Sequence, residues 1–463
     1  MSVVQGEPQP LASPPQAVHL ALAPRRAVGV FAAFALAYFL STLVRAITAT
    51  LSPELTLDFA LDSGDLGLLA AGYFLGFAFT QLPLGRWLDR HGPRGVELSF
   101  LAVAVLGCLL FSVARSFELL FVARVLIGVG VSACLMAPLT GYRRWFAPAQ
   151  QIRSNSWMLM VGSFGVVAAT LPVQWLLPLL GWRPLFWLLA AGVLLAMAAI
   201  AWAVPTWTAG AVSAPPPSGH AAASAASAAS AASAASAASA ASAATAATAA
   251  DASGGYTQVW RSPFFRSVAP LGFFFNGGLA AMQTLWIVPW LIRVGGQSPA
   301  EAAQGLFAIG LALLVTYWLW GLVNPWLARN GWPAVRLIAL LMPLNLMALA
   351  GIVLAGRDAG VALWMLYCIS ATTVSLAQPA TALALPPHLA GRALSAYNLV
   401  VFAGIFVLQW GVGLLIDLGI AFGQTATTAF QLSLAVFWAL SALAYLYFLW
   451  ARPYDRSASP AAP

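Results

Sequence analysis

The chain has 463 residues, 61% of them hydrophobic and only 7% charged, with a mean hydropathy of +0.86. A soluble globular domain is nearer half apolar and a quarter charged, so this composition excludes one and belongs to a polytopic membrane protein. The net charge of +8 comes from 21 basic residues, all arginine, scattered between apolar runs; they build no continuous basic face, which excludes a nucleic-acid binder.

In chain order, residues 1–27 come first. They are rich in Pro, Gln and Ala and lack a basic stretch followed at once by an apolar core, which predicts a disordered cytoplasmic tail and no cleaved signal peptide. Crossing a bilayer takes roughly 20 apolar residues. Twelve runs qualify, at 28–50, 64–86, 95–114, 118–141, 154–177, 184–204, 267–292, 300–323, 334–355, 360–385, 392–416 and 427–450. Ser52, Pro53 and Glu54 are expected to end the first helix, and Ser63-Gly64-Asp65 to open the second. Gly181-Trp182-Arg183-Pro184 predicts a tight connection. Ser298 before Pro299 reads as an N-cap followed by proline at the first helical position.

Residues 205–260 interrupt the series with Pro215-Pro216-Pro217 and an Ala-Ala-Ser repeat from Ala222 to Ser242. Serine at every third position builds no apolar face, so the segment reads as a solvated tether. The organisation expected is a tail (1–27), a six-helix bundle (28–204), a cytoplasmic linker (205–260), a second six-helix bundle (261–451) and a tail (452–463).

With the N-terminus inside, only Arg115, Arg183, Arg293 and Arg357 fall in outer loops, and Arg45 and Arg124 fall within helices. The remaining fifteen arginines lie on the cytoplasmic side, the bias expected of an N-in, C-in chain. Glu54, Asp58, Asp62 and Asp65 make the first outer loop acidic. Cys108, Cys134 and Cys368 lie inside apolar runs and read as small buried hydrophobes, with no metal or disulfide spacing.

Gly85, Asp89, Arg90, Gly92 and Arg94 punctuate the loop after the second helix. Gly85 permits close helix approach, Asp89 can cap a helix or pair with arginine, and Gly92 allows a tight turn. Arg124, Gly128 and Gly130 add a second pattern in the fourth helix. On these residues the chain resembles the major facilitator superfamily across all twelve helices. The resemblance implies an all-α fold of two pseudo-symmetric bundles that rock about a midplane site. It also implies that the loop at 85–94 latches the halves on the cytoplasmic side, with Arg392 at the start of the eleventh helix as partner. The corresponding loop of the second half, Asn324 to Gly331, has Ala328 where Asp89 stands, so an asymmetric latch is expected.

Intramembrane charges face a cavity or a partner. Arg45 is read as cavity-facing; Arg124 is either linked to coupling, as the resemblance implies, or held structurally by backbone carbonyls. Tyr38, Thr42, Asn276, Gln283, Trp286 and Gln378 complete the candidate substrate site, on the helices that line such cavities in the family. No acid falls near a bilayer midplane by these spans and every histidine lies in a loop or tail. A cavity with arginine and no fixed counter-ion predicts uptake of a small organic anion by a monomeric transporter of a bacterial inner membrane. A coupling proton or other ion is left open, and no cofactor or metal is expected. Two alternatives stand beside this reading, efflux of amphipathic compounds and a non-transporting receptor or scaffold on the same fold. No nucleophile–base set or metal cluster suggests an enzyme.

Overall fold

The computed structural model describes residues 22–146, 148–206, 252–386 and 389–451, and every regular element among them is helical. Most of the expected tails and of the 205–260 linker therefore lie outside the described residues.

The first half begins with α1 (Pro24–Phe59). It runs past the point where Ser52-Pro53 was expected to stop it. Proline removes one N–H and leaves the carbonyl four residues back without its helical donor. That carbonyl, Ala49 O, accepts the Ser52 hydroxyl at 2.8 Å, so the helix carries on for another turn and a half. The helical run Ser63–Val113 breaks at Gly92, whose φ of 74° and ψ of 164° suit glycine alone, giving α2 (63–91) and α3 (93–113). Asp62 caps α2 by accepting from Asp65 N at 2.7 Å.

Next, α4 (Phe117–Trp145) is loosened over Ser132–Leu135. The fifth expected span is two pieces, α5 (Pro148–Ala168) and α6 (Leu171–Leu180), bent by 46°. Thr50 of α1 donates to the freed Ala169 carbonyl at 2.7 Å and so holds the bend. Gly181 (φ 75°) makes the predicted tight connection into α7 (Trp182–Ala203).

The second half opens earlier than expected, with α8 (Ala252–Arg261), which overlaps the linker as read from sequence. Its Val259 is wholly buried and Trp260 meets Phe265 edge-on at 5.0 Å, so apolar packing claims the end of the tether. Then come α9 (Pro263–Arg293), α10 (Pro299–Arg329), α11 (Ala334–Ala355), α12 (Val361–Leu383), α13 (Ala390–Ala421) and α14 (Ala426–Ala451). Two π turns, Gly272–Asn276 and Met282–Trp286, interrupt α9, and a 3-10 turn, Thr372–Leu376, interrupts α12. Ser298 and Glu301 cap α10 reciprocally, Glu301 accepting from Ser298 N at 2.8 Å and Ser298 from Glu301 N at 3.3 Å.

Among the described residues ten helices are long and apolar enough to cross a membrane, eleven if the bent α5–α6 pair is one span. The protein is therefore a multi-pass, all-helical membrane protein. Within each half, small residues let helices touch. A side chain on Gly130 would strike the Ala104 backbone of α3, and one on Gly128 the Tyr73 carbonyl of α2. Between the halves, α1 packs on α9, α2 on α13, and the α5–α6 bend on α10.

Candidate functional site

Because α1 extends to Phe59, Arg45 stands 14 residues from its end, about 21 Å at 1.5 Å per residue. The last turns of that helix carry the exposed acids Glu54 and Asp58, so the extension beyond Pro53 does not itself set the depth of Arg45. Arg45 is half-buried, and the ion pair found among the described residues is Arg183–Asp58 at 3.1 Å, elsewhere. Among the described residues Arg45 has no ion-paired acid.

Arg124 differs. It is 1% exposed, and its guanidinium donates to Val44 O at 2.8 Å and Arg45 O at 3.0 Å, both carbonyls of α1. Its Cζ lies 5.2 Å from the centroid of the Tyr73 ring. Of the two readings of this residue, the geometry matches the backbone-bonded one: Arg124 fixes the α1 backbone at Arg45, while its Nε–H is buried without a partner.

The remaining candidates divide the same way. Asn276 and Gln283 are half-buried along with Phe273 and Ala280, on one side of α9 and next to its π turns. Such turns bulge a helix and recur at functional sites. Helix α1 packs against the second of them. Asn276 Nδ2 donates a long hydrogen bond to Tyr397 Oη at 3.5 Å. The other candidates are packed. Thr42 (1% exposed) bonds back to Tyr38 O and Phe39 O. Tyr38 and Thr42 seat against Gly162 and Gly165 of α5, whose glycines leave room for them. Trp286 donates to Gln409 O at 3.1 Å, and Gln378 is buried in α12. Arg45, Asn276 and Gln283 are thus the half-buried candidates, and Arg124, Tyr38, Thr42, Trp286 and Gln378 are buried.

A hollow of about 440 Å³ between α1, the α5–α6 bend and α7 is lined by Leu40, Val173, Leu189 and other apolar groups. It holds no charge and is a poor seat for a polar solute.

The halves are joined at the end of α2 and α13 that carries Ser63 and Asp417. Asp417 Oδ1 accepts from Ser63 N at 3.0 Å and Oδ2 from Gly64 N at 2.6 Å. A carboxylate of one half thereby caps the N-terminus of a helix of the other, where free N–H groups and the helix dipole favour an anion. Arg293 Nη1 approaches Ser63 Oγ at 3.5 Å. Gly67 and Gly413 allow the contact, since a side chain on either would strike the facing backbone at Gln409 or Ser63. Phe77 and Phe402 rings meet at 5.0 Å further along. Sequence reading missed this gate, because residues 354 apart carry no local signal of contact.

At the other end, Gly85 and Gly92 are buried, Arg86 and Arg90 exposed, and Arg392 half-buried. Arg94 donates to Ala201 O of α7 at 2.6 Å, a bond within its own half. The side chain of Asp89 lies outside the described residues. Glu97, grouped by sequence with the peripheral acids, is 0% exposed inside α3. Among the described residues no cluster of His, Cys, Asp and Glu could hold a metal.

Residues 34–408 match the family model described as Major Facilitator Superfamily. The gallate transporter of Pseudomonas putida is 27% identical over 289 residues, 60% of this chain and 62% of that protein. A nitrate/nitrite transporter of Picosynechococcus sp. is 30% identical over 112 residues, 24% of this chain and 21% of that protein. A probable 4-methylmuconolactone transporter of Cupriavidus pinatubonensis is 30% identical over 147 residues, 30% of this chain and 33% of that protein. The chain thus spans less than two thirds of the length of each of these relatives. Among solved structures, a bacterial homolog of the human lysosomal transporter Spinster matches with a TM-score of 0.70 at 18% identity, covering 96% of this chain and 100% of that one. The POT family transporter PepTSo matches with a TM-score of 0.67 at 16% identity, covering 95% and 99%.

Proposed function

The chain belongs to the Major Facilitator Superfamily, and from that premise we propose that it carries a small organic anion across the bacterial inner membrane by alternating access between two six-helix halves. The observation that carries this is Arg45. A half-buried guanidinium within α1, with no acid paired to it among the described residues, is costly in a low-dielectric interior. An anionic solute entering beside it supplies the missing counter-charge, and Asn276 and Gln283 supply neutral hydrogen-bonding groups from the facing half. The names of the relatives support the class, since gallate and nitrate are both anions.

In this reading the chain crosses the membrane twelve times. The α2 arm joins the ten clear spans and the bent pair, and both termini are cytoplasmic, as the arginine bias indicates. The gate at Ser63–Asp417 is then the outer one and is shut. Asp89, with Arg392, closes the opposite face when the halves rock.

The test is thermal stabilisation of the purified protein by gallate, benzoate or nitrate. A ligand that binds only the folded state stabilises it by about 2.7 kcal/mol at 100 times its Kd. Stabilisation by at least one of these anions, abolished by Arg45→Gln with an unchanged baseline melting temperature, is the expected result. No stabilisation by any of them, or equal stabilisation of the variant, contradicts the assignment.

A further inference from the structure

We propose that the hollow between α1, the α5–α6 bend and α7 seats one acyl chain of a membrane phospholipid, and that a chain lodged there props the bend by which the first half meets α10. The proposal rests on the membrane-spanning fold and on nothing about which anion is carried.

The hollow follows from the residues around it. Between α5 and α6 the chain leaves the helical region at Thr170 (φ −99°, ψ −112°), and α6 departs at 46°. Pro172, at the start of α6, has no N–H with which to rejoin α5. Gly192 of α7 supplies no side chain where one would have room, since a Cβ there would meet Leu40 of α1 at 3.4 Å, an ordinary contact. Leu40 and Leu43 of α1, Val173 of α6 and Leu189 of α7 are buried around the resulting space of about 440 Å³. Protein interiors rarely keep a void of this size, because the atoms that face it lose their dispersion contacts. Water stays in a cavity only where it finds polar partners, and the side chains that line this one are all Leu, Val, Ala, Pro or Gly.

The mouth of the hollow identifies what fills it. Leu188, Ala191 and Leu195 form the rim, at spacings of three and four along α7, and all three are exposed. Helix α7 has 22 residues, about 33 Å at 1.5 Å per residue, so it just crosses the roughly 30 Å hydrocarbon core. The rim therefore opens into lipid, and the hollow is continuous with the surface that lipid covers. Along α7 its lining runs from Leu185 to Leu195, about 15 Å, which is the thickness of one leaflet. At roughly 30 Å³ for a group the size of a water or a methylene, the space takes about fifteen in file, the length of an ordinary acyl chain. The exposed Trp175 of α6 and Trp187 of α7 each stand five residues from the Leu180–Trp182 end of their helices, the level at which headgroups begin. At that end Arg183 is spent on Asp58 at 3.1 Å and does not offer itself to the carboxylate of a free fatty acid. A phospholipid keeps its headgroup at the interface and needs only its tail seated.

Occupancy has a consequence for the fold. Pro172, Val173 and Leu176 of α6 form one wall of the hollow, and the α5–α6 bend packs on α10 of the second half. Thr50 of α1 holds the bend at Ala169 O. A seated chain fills the space behind it, restores the dispersion contacts that the void forfeits, and resists collapse of α6 toward α7. The lipid thereby becomes part of the support for the contact between the halves.

The test uses the full-length protein in vesicles of phosphatidylcholine that carry a trace of the same lipid with a diazirine midway along a palmitoyl chain. After illumination, mass spectrometry of the peptides should place adducts on Leu185–Leu195 and on the facing stretches of α1 and α6. They should be several-fold more frequent there than on the exposed face of α14 around Leu440 and Leu443. Gly192→Leu fills the hollow, and Ala191→Phe plugs its mouth from the exposed face, which keeps the test decisive if the first variant fails to fold. Either should lower the adducts at the hollow several-fold and leave those on α14 unchanged. In detergent, added phosphatidylcholine should raise the melting temperature of the wild type more than that of either variant, because a ligand of the folded state stabilises it. Palmitate at the concentration of the lipid should not displace the label. Adducts as frequent on α14 as at the hollow, or undiminished in both variants, would overturn the site. Displacement by palmitate would overturn phospholipid as the occupant, and an equal rise in melting temperature in wild type and variants would overturn the propping role. No readout here uses an anion, so failure of the anion screen leaves this experiment unaffected, and its own failure leaves the role of Arg45 standing.

Discussion

Arg45 and Arg124 both sit inside apolar helices, yet their surroundings give them different work. Arg124 spends its donors on the carbonyls of Val44 and Arg45. Removing it leaves those groups buried and strips two charge-assisted bonds, each worth about 1.5–3 kcal/mol. Arg124→Gln should therefore lower the melting temperature markedly, corresponding to a loss on the order of 3–6 kcal/mol, whereas Arg45→Gln should leave it unchanged. Equal destabilisation by the two would show that Arg45 is also structural. Sequence placed both arginines in helices but not their partners, because the acceptors for Arg124 lie 80 and 79 residues away on another helix. Glu97, read from sequence only as lying away from a bilayer midplane, is buried near the start of α3. Its place in the stripe of Leu101, Ala104 and Cys108, which is legible in the sequence, assigns it to the interior.

At the scale of helices, most spans were legible, because a run of some twenty apolar residues has few other uses. The reading of 334–355 coincides with α11. The misplaced ends share a cause, which is a helix breaker whose damage is repaired by a partner. Pro53 was read as a stop, but Ser52 takes up the carbonyl it frees. Pro343 repeats the device within α11, where Tyr445 of α14 donates to Ala339 O at 2.6 Å. These repairs predict that Ser52→Ala and Tyr445→Phe each cost about 1–2 kcal/mol, the penalty of an unsatisfied buried acceptor, readable as a lower melting temperature. The α2–α13 contact depends on absent side chains. A Gly413→Val substitution should force the gate apart, because the added atoms meet the Ser63 backbone and not a flexible side chain. Spin labels near residues 64 and 417 should then report a longer distance than in the parent protein; an unchanged distance would show that the contact yields elsewhere.

For the whole molecule, the two halves meet through a carboxylate set on a helix end, together with glycine contacts and aromatic rings. One continuous cluster of buried apolar side chains also runs across both halves, so their separation must rearrange part of that core. The last part of α4 (Met136–Trp145) and that of α12 (Ala377–Leu383) each pack on helices of their own half. Asp417→Ala should shift the population toward the state open at the Ser63 end, seen as faster labelling of a cysteine placed at Gly64. The overall plan was legible because charge and hydropathy set it directly; the gate was not, because it joins the start of α2 to the end of α13 across the whole chain. The central claim, that an anion moves through this protein against the guanidinium of Arg45, is tested most directly by exchange in proteoliposomes. Vesicles loaded with unlabelled gallate, or with nitrate if that is the anion that stabilises the protein, would be given the labelled anion outside. The account predicts rapid exchange by the wild type and a fall of at least about tenfold, some 1.4 kcal/mol, in Arg45→Gln at unchanged melting temperature. Equal exchange by the two proteins would contradict it.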